Sequence, residues 1–289
     1  MRITNKLGLP QPFVDAATSD HVYTEKRYSV TSMSKGVRQC VLERRHGDEV
    51  EQDCADMVWA IFGSAVHQIL EKAQETPWQV KEGKLVVPMS NGYELSGIFD
   101  LYDDEAGTVT DYKTASVWKV QFGDFQDWRD QLAAYVWMLR RIGFDAKRGE
   151  IVAMLKDFNL RDSRTKADYP EHPVFVVGWD FDEADMIETG KRLYQRFAEL
   201  AEAEGLPDEL LPLCTERERW HKPDTWVAKK KGAQRASRVF NNESDAQEYA
   251  MTRGYEVEYR RGEDPRCRDY CSVCQFCDYW REHVAKEVE

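Results

Sequence analysis

No run of apolar residues in this sequence approaches the length of a membrane span, and Met1–Asp20 lacks both the basic start and the apolar stretch of a secretory signal. The expectation is a cytoplasmic protein without membrane contact, in which thiols stay reduced. Its seven cysteines are then metal ligands or buried thiols, which excludes a disulfide framework. Surplus basic charge is missing too. A net charge of −12 leaves no global field that would draw in nucleic acid. Any such contact must come from local patches and from metal ions at acidic groups. Internal repeats and low-complexity tracts are also absent, so nothing suggests a repeat array or a long flexible linker. What remains is a globular chain. Its 289 residues, 42% hydrophobic, can bury a full core in one large domain or one domain with an appendage.

Against that background, acid stands in an unexpected place. Tyr93–Asp103 and Thr108–Lys113 read as two short strands joined by a turn at Asp104-Glu105-Ala106-Gly107. If Asp103 pairs with Thr108, Asp100 sits directly across from Asp111. Lys113 shares their face, because side chains alternate along a strand. Two carboxylates facing each other across a ladder repel. A divalent metal between them removes the objection, since Mg²⁺ binds through one or two carboxylates and completes its shell with water and phosphate oxygens. The bland alternative is a surface hairpin with solvated acids, although Ile98, Phe99 and Leu101 give the strand an apolar character that favours burial.

The remainder of the chain supplies the surroundings. Met1–Lys26 is irregular and polar. A short strand or turn from Arg27 leads to a helical segment carrying Cys40. Cys54–Glu75 is the clearest helix, with Val58, Phe62, Ala65, Val66, Ile69 and Ala73 as one apolar stripe and Gly63, His67 and Glu71 opposite. A mid-helix glycine costs stability, so a close backbone approach is expected at Gly63. Lys84–Met89, with a turn at Asn91-Gly92, should pair with the first acidic strand to give a three-stranded meander. Trp128–Arg141 is a second helix ending at Gly143, with Gln131 and Tyr135 one turn apart. Strands follow at Glu150–Phe158 and Val174–Asp180. Asp182 then caps a helix over Glu183–Glu204, and Leu206–Cys214, with two prolines, reads as a linker.

Residues 215–240 carry eight Lys or Arg against three Asp or Glu. Trp220, His221 and Trp226 are interleaved there with Lys222, Lys229, Lys230, Lys231, Arg235 and Arg238. Basic groups bind phosphates while aromatic faces stack unpaired bases, so this stretch is a candidate DNA-binding surface, with a solvated basic loop as the alternative. Near the C-terminus, Cys267-x3-Cys271-x2-Cys274-x2-Cys277 is tight enough to wrap a metal centre. A four-cysteine zinc site usually shows two separated Cys-x2-Cys pairs, and this run is one compact group.

Gly97-Ile98-Phe99-Asp100 followed by Asp111-Tyr112-Lys113 resembles the paired motif of the PD-(D/E)XK nuclease superfamily, with Phe99 where proline is nominal. More narrowly, the chain is similar to the RecB-like branch, which includes CRISPR-associated and phage iron–sulfur exonucleases. Gly63-Ser64-Ala65-Val66-His67 resembles that branch's helix-borne histidine motif, and Gln131-x-x-x-Tyr135 its Gln-x-x-x-Tyr motif. The resemblance runs from Tyr28 to Trp280 with its motifs in order. It implies an α/β, restriction-endonuclease-like core with a mixed central sheet flanked by helices, plus a helical appendage stapled by the cysteines. The corresponding segments are 1–50, a nuclease core over 51–205, and 206–289 packed as one unit with 1–50.

The activity implied is Mg²⁺- or Mn²⁺-dependent hydrolysis of DNA phosphodiesters from an end, in recombination, repair or end processing. Asp100, Asp111, His67 and the Tyr112 carbonyl would hold the metal, Lys113 would position or activate water, and Gln131 and Tyr135 would orient substrate or Lys113. In the same relatives three late cysteines and one early one hold a 4Fe–4S cluster, which here selects Cys267, Cys271, Cys277 and Cys40, with Cys274 as the alternative fourth ligand and zinc as the alternative metal. The partners implied are single-stranded DNA or duplex ends, and a recombination or CRISPR-type protein or a second copy of the chain. Two other classes stay open: a nuclease-derived DNA-binding or assembly subunit, and a structural iron–sulfur or zinc protein.

Overall fold

The structure, a computed structural model, describes residues 1–18 and 23–285. Met1–Lys26 is less irregular than its composition suggests. It holds β1 (Arg2–Thr4) and α1 (Gln11–Ala17), while residues 19–22 lie outside the description. There follow β2 (Arg27–Ser29), α2 (Val37–His46), β3 (Glu51–Asp53) and α3 (Val58–Glu71). The acidic meander is β4 (Gln79–Pro88), β5 (Glu94–Asp103) and β6 (Thr108–Ala115). Beyond it come α4 (Val117–Phe122), α5 (Gln126–Arg141), β7 (Arg148–Leu155), α6 (Leu160–Thr165), β8 (Val174–Asp180) and α7 (Glu183–Ala203). The last stretch contains α8 (Glu216–Arg219), β9 (Thr225–Lys229), β10 (Arg238–Phe240), α9 (Glu243–Met251), β11 (Glu256–Arg260) and α10 (Asp278–His283).

Two compact units share the chain. One comprises Met1–Lys35 with Gly47–Gly205; the other comprises Gly36–His46 with Leu206 onward. Of the N-terminal segment, therefore, only the stretch around α2 belongs with the C-terminal cysteines. No helix among the described residues is long and apolar enough to cross a membrane.

The first unit is an α/β fold on a mixed six-stranded sheet, and β5 is its hub. β4 runs antiparallel along one edge, from Gln79↔Asp103 to Pro88↔Glu94. The other edge is shared. β2 pairs in parallel with Glu94–Ser96, and β6 pairs antiparallel with Leu101–Asp103. Gly97 to Asp100 fall between these two partners, so their backbone groups on that side must be satisfied by other means. β6 continues the sheet in parallel with β7, and β8 closes it antiparallel. α5 packs on the sheet and on α7, burying Leu132, Ala133, Tyr135, Val136, Met138 and Leu139. The N-terminus of α7 carries the expected cap at Asp182, with Asp185 completing a capping box.

Three local readings need correction. The apolar stripe of α3 is not buried: no residue of the helix is, and Val58, Phe62 and Ile69 are exposed. The helix instead turns its Gly63–His67 side to the sheet, with Gly63 near Thr114 and His67 against Asp100. The helix itself is shorter than Cys54–Glu75, because Cys54–Met57 is a 3₁₀ turn. Finally, Leu206–Cys214 is not a loose linker. Asp208 binds Arg45 and His46 of α2, His46 at 2.6 Å, and Leu211 is buried.

The two motif glycines differ in what they permit. A Cβ at Gly97 would stand 2.6 Å from the Tyr135 ring and 3.0 Å from Val30. At Gly63 it would meet Thr114 Oγ1 at 3.6 Å, an ordinary contact, so the close approach expected there is not enforced by space. Gly97→Ala should therefore cost about 1–3 kcal/mol through overpacking. Gly63→Ala should be neutral or add up to about 1 kcal/mol through helix propensity. Denaturant unfolding of both variants checks this pair. Equal destabilisation would refute it.

Candidate active site

Pairing between β5 and β6 follows the expected register, Asp103↔Thr108, Tyr102↔Val109 and Leu101↔Thr110, and stops one step short of Asp100 and Asp111. There the strands exchange a side chain for a ladder bond: the Tyr112 N–H donates to Asp100 Oδ2 at 2.6 Å. Both aspartates are buried, Asp100 8% and Asp111 3% exposed. Buried carboxylates need charge or hydrogen bonds around them, and the neighbours supply both. His67 Nδ1 lies 3.1 Å from Asp100 Oδ1, and Lys113 Nζ lies 2.6 Å from Asp111 Oδ2.

The electrostatics are strained in a consistent direction. Burial, opposed by Lys113 and reinforced by the Asp100 charge, pushes the Asp111 carboxyl above the usual carboxylate range. Its hydrogen bond to Asp100 raises the His67 imidazole above its ordinary value. Asp111 Oδ2 has no well-aligned hydrogen bond, despite its proximity to Lys113. A buried carboxylate oxygen with a cation beside it but no directed donor is what a metal ligand looks like without its metal.

α5 braces this pair. Gln131 Nε2 donates to Asp111 Oδ1 at 2.9 Å. One turn on, the Tyr135 hydroxyl donates to the Ile98 carbonyl at 2.8 Å, inside the stretch of β5 that lacks a strand partner on that edge. Tyr135 thus supports the backbone beside the aspartates and does not touch a carboxylate. Burial, with the Asp111 charge, holds its phenol well above the usual range, which makes it a donor and not a base.

Sequence reasoning missed Glu82. The ligand atoms of His67, Glu82 and Asp100 all lie within 4.8 Å of one another. Glu82 sits opposite Asp100 in the β4–β5 register, at the one step where no pair forms between Lys81↔Leu101 and Gly83↔Phe99. Its φ of 48° is left-handed, a strained conformation for a residue with a side chain. Gly83 follows because any Cβ there would run into the Phe99 ring, 2.0 Å away. Burial, with Asp100 nearby, raises the Glu82 carboxyl. The Glu82-Gly83 pair was the available signal, a non-alternating acid before a glycine inside an otherwise regular strand.

The other predicted residues lie in the second unit. β9, flanked by β10 and β11, carries Trp226 and Lys229. Lys229 is paired with Glu258, and Trp226 rests on Tyr259. Trp220 packs edge-on against Tyr270 with Arg266 over its face, while Arg238 covers Phe240 and Tyr249. Lys230, Lys231 and Arg235 are exposed in the connection between β9 and β10, and no ion pair among the described residues involves them. Cys267 and Cys271 sit beside other thiols, and burial together with those neighbours pushes each of them up to about 12. Cys40 is buried within α2.

Among solved structures, the chain is similar to SSO0001, at 18% identity and a TM-score of 0.42 over 60% of this chain and 77% of that one. It is also similar to a phage-related exonuclease from Haemophilus somnus 129PT (11% identity, TM-score 0.34, 61% and 95% covered). A third is an alkaline exonuclease, LHK-Exo, from Laribacter hongkongensis (11% identity, TM-score 0.39, 62% and 90% covered). No curated protein matches the sequence. The sequence profile of the PD-(D/E)XK nuclease superfamily, however, matches residues 74–281, a span that takes in β5, β6, Gln131 and the cysteine run. With most of its length matched and the paired aspartates and lysine in one buried cluster, the chain belongs to the PD-(D/E)XK nuclease superfamily.

Proposed function

We propose that this chain is a Mg²⁺- or Mn²⁺-dependent DNA exonuclease acting in recombination, repair or the processing of DNA ends. The observation that carries the reading is the convergence of His67, Glu82 and Asp100 within 4.8 Å, beside a buried Asp111 whose outer oxygen lacks an aligned donor. Three potential oxygen or nitrogen ligands and a fourth acid suit a hard cation that keeps part of its shell for water and phosphate. The Tyr112 carbonyl is a further candidate, because a strand residue's N–H and C=O point to the same edge and its N–H already faces Asp100.

Such a cation, when bound, supplies Lewis-acid charge to the scissile phosphate. The residues of the chain do the positioning. Gln131 fixes the Asp111 carboxylate from behind, and Tyr135 holds the β5 backbone that carries Asp100. Lys113 Nζ, already 2.6 Å from Asp111, is placed to hold a water by hydrogen bond and to offset negative charge gathering on the phosphate. His67 would complete the ligand set in its neutral form, which Asp100 opposes by favouring a proton on the imidazole. The test is cleavage of end-labelled single- and double-stranded DNA with Mg²⁺ or Mn²⁺, and with chelator. Shortening from an end that stops with chelator supports the proposal. Activity indifferent to chelator would overturn it.

The exposed basic turn is assigned to DNA. Reversing Lys230, Lys231 and Arg235 to glutamate should weaken binding and flatten its salt dependence by roughly one unit of slope per lost phosphate contact. Cleavage at saturating DNA should change little. Filter binding across a salt titration measures it, and an unchanged slope would show a merely solvated loop. The C-terminal cysteines are assigned to a second metal centre, a 4Fe–4S cluster in preference to zinc.

A further inference from the structure

The resemblance offers Cys40 as the fourth ligand to that second centre, yet another thiol is built into position. Gly36, just before α2, faces Cys214 so closely that a Cβ there would stand 2.4 Å from the Cys214 Sγ. Only a glycine leaves room for that sulfur. The backbone N–H of Gln39, in the first turn of the same helix, points at the Cys214 sulfur. First-turn amides lack intrahelical partners and carry the positive end of the helix dipole, so this contact offsets part of the burial and Glu218 charge that together raise the Cys214 thiol.

A buried guanidinium ties this corner to the late cysteines. Arg38, 5% exposed, donates to the Leu211 and Pro212 carbonyls, three and two residues before Cys214, and its Nη1 lies 3.7 Å from Cys277 Sγ. Cys267 lies in a π turn, Arg266–Tyr270, and the charges of Cys214, Cys271 and Cys277 are all felt at its thiol. Cys214 is felt at Cys271 as well.

We propose that Cys214, Cys267, Cys271 and Cys277 together hold an iron–sulfur cluster in the second unit, with Cys214 in the place that the resemblance assigns to Cys40. The proposal rests on reading the late cysteines as a metal centre, and it changes which part of the chain that centre organises. The cluster fastens the Leu206–Cys214 strap, not the middle of α2, to the C-terminal run, so its loss should loosen residues 206–214 first.

Wild type, Cys214→Ser, Cys40→Ser and Cys274→Ser are purified anaerobically and assayed for iron, acid-labile sulfide and zinc. The expected result is iron and sulfide in wild type, Cys40→Ser and Cys274→Ser, with at least a several-fold loss and bleaching of the brown colour in Cys214→Ser. Full loading of Cys214→Ser, with loss in Cys40→Ser or Cys274→Ser, would overturn the ligand assignment while leaving a cluster in place. Zinc in place of iron, or no metal in wild type, would overturn the cluster itself. Should Cys214→Ser fail to fold, alkylation mapping of the wild type decides the matter. Cys214, Cys267, Cys271 and Cys277 should become reactive together when iron is stripped, and Cys214 already reactive in the loaded protein would refute the proposal.

Discussion

Asp111→Ala should abolish DNA cleavage, with a loss on the order of 10³-fold or more, because it removes a proposed metal ligand and the partner of both Gln131 and Lys113. Lys113→Ala should lose roughly 10²–10⁴-fold, the range for a group that positions or activates the nucleophile. The two variants should part company in metal binding. Asp111→Ala weakens Mn²⁺ binding, whereas Lys113→Ala leaves it near wild type or tighter, since a competing cation has gone. Asp111 also makes a prediction about stability. Its carboxyl is raised by burial, and for an acid that means stability is full below the unfolded value near 3.9 and declines as pH rises toward the folded one. His67 is raised as well, so its contribution is full below about 6.5 and is lost as pH climbs through the folded value. Both act in the same direction. Asp53, Asp103, Asp185, Asp208 and Asp264 are held below the usual carboxylate range and act the other way, so the Asp111 contribution is read by difference. The stability advantage of Asp111→Asn over metal-free wild type should grow from acid to neutral pH, and Mn²⁺ should shrink it. Thermal unfolding of both proteins across pH, with and without Mn²⁺, measures this. An advantage of the metal-free variant that falls as pH rises would contradict a raised Asp111 carboxyl.

The second large effect is at Glu82. Glu82→Gln should raise the Mn²⁺ concentration needed for half-maximal cleavage by roughly 10–100-fold, the range for groups that hold or orient a metal site. The left-handed backbone at this position strengthens the case. Such strain persists where the surrounding structure enforces it, and it gathers at functional sites. Glu82→Gly is the informative companion, since it relieves the strain and removes the carboxylate together. It should fold at least as stably as wild type and still require more metal. Unchanged metal dependence in both variants would make Glu82 a bystander.

Glu82 also marks where the sequence stopped being legible. Asp100, Asp111, Lys113 and Gln131 could be read because strand alternation and helical spacing are local, and the hairpin register follows from its turn. Glu82 left only the weak trace of an acid before a glycine, because its approach depends on a left-handed backbone step inside β4 that alternation alone does not predict. The helix bearing His67 was found, but its docked side was inverted. A hydrophobic stripe says that a helix has two faces and does not say which one meets a sheet carrying buried aspartates. The strap at 206–214 carried loop composition, and its fixing by Arg38, Arg45 and His46 joins residues more than 160 positions apart. Contacts of that separation leave no pattern in a single sequence.

If the buried Asp100–Asp111 pair supports hydrolysis of DNA with a divalent cation, the reaction itself is the thing to measure. The most direct measurement is a single-turnover time course on end-labelled DNA, with wild type, Asp111→Ala and the basic-turn variant, each with Mn²⁺ or with chelator. Wild type and the basic-turn variant at saturating DNA should shorten the substrate progressively, Asp111→Ala should not, and no protein should do so with chelator. Shortening by purified Asp111→Ala at the wild-type rate would contradict it.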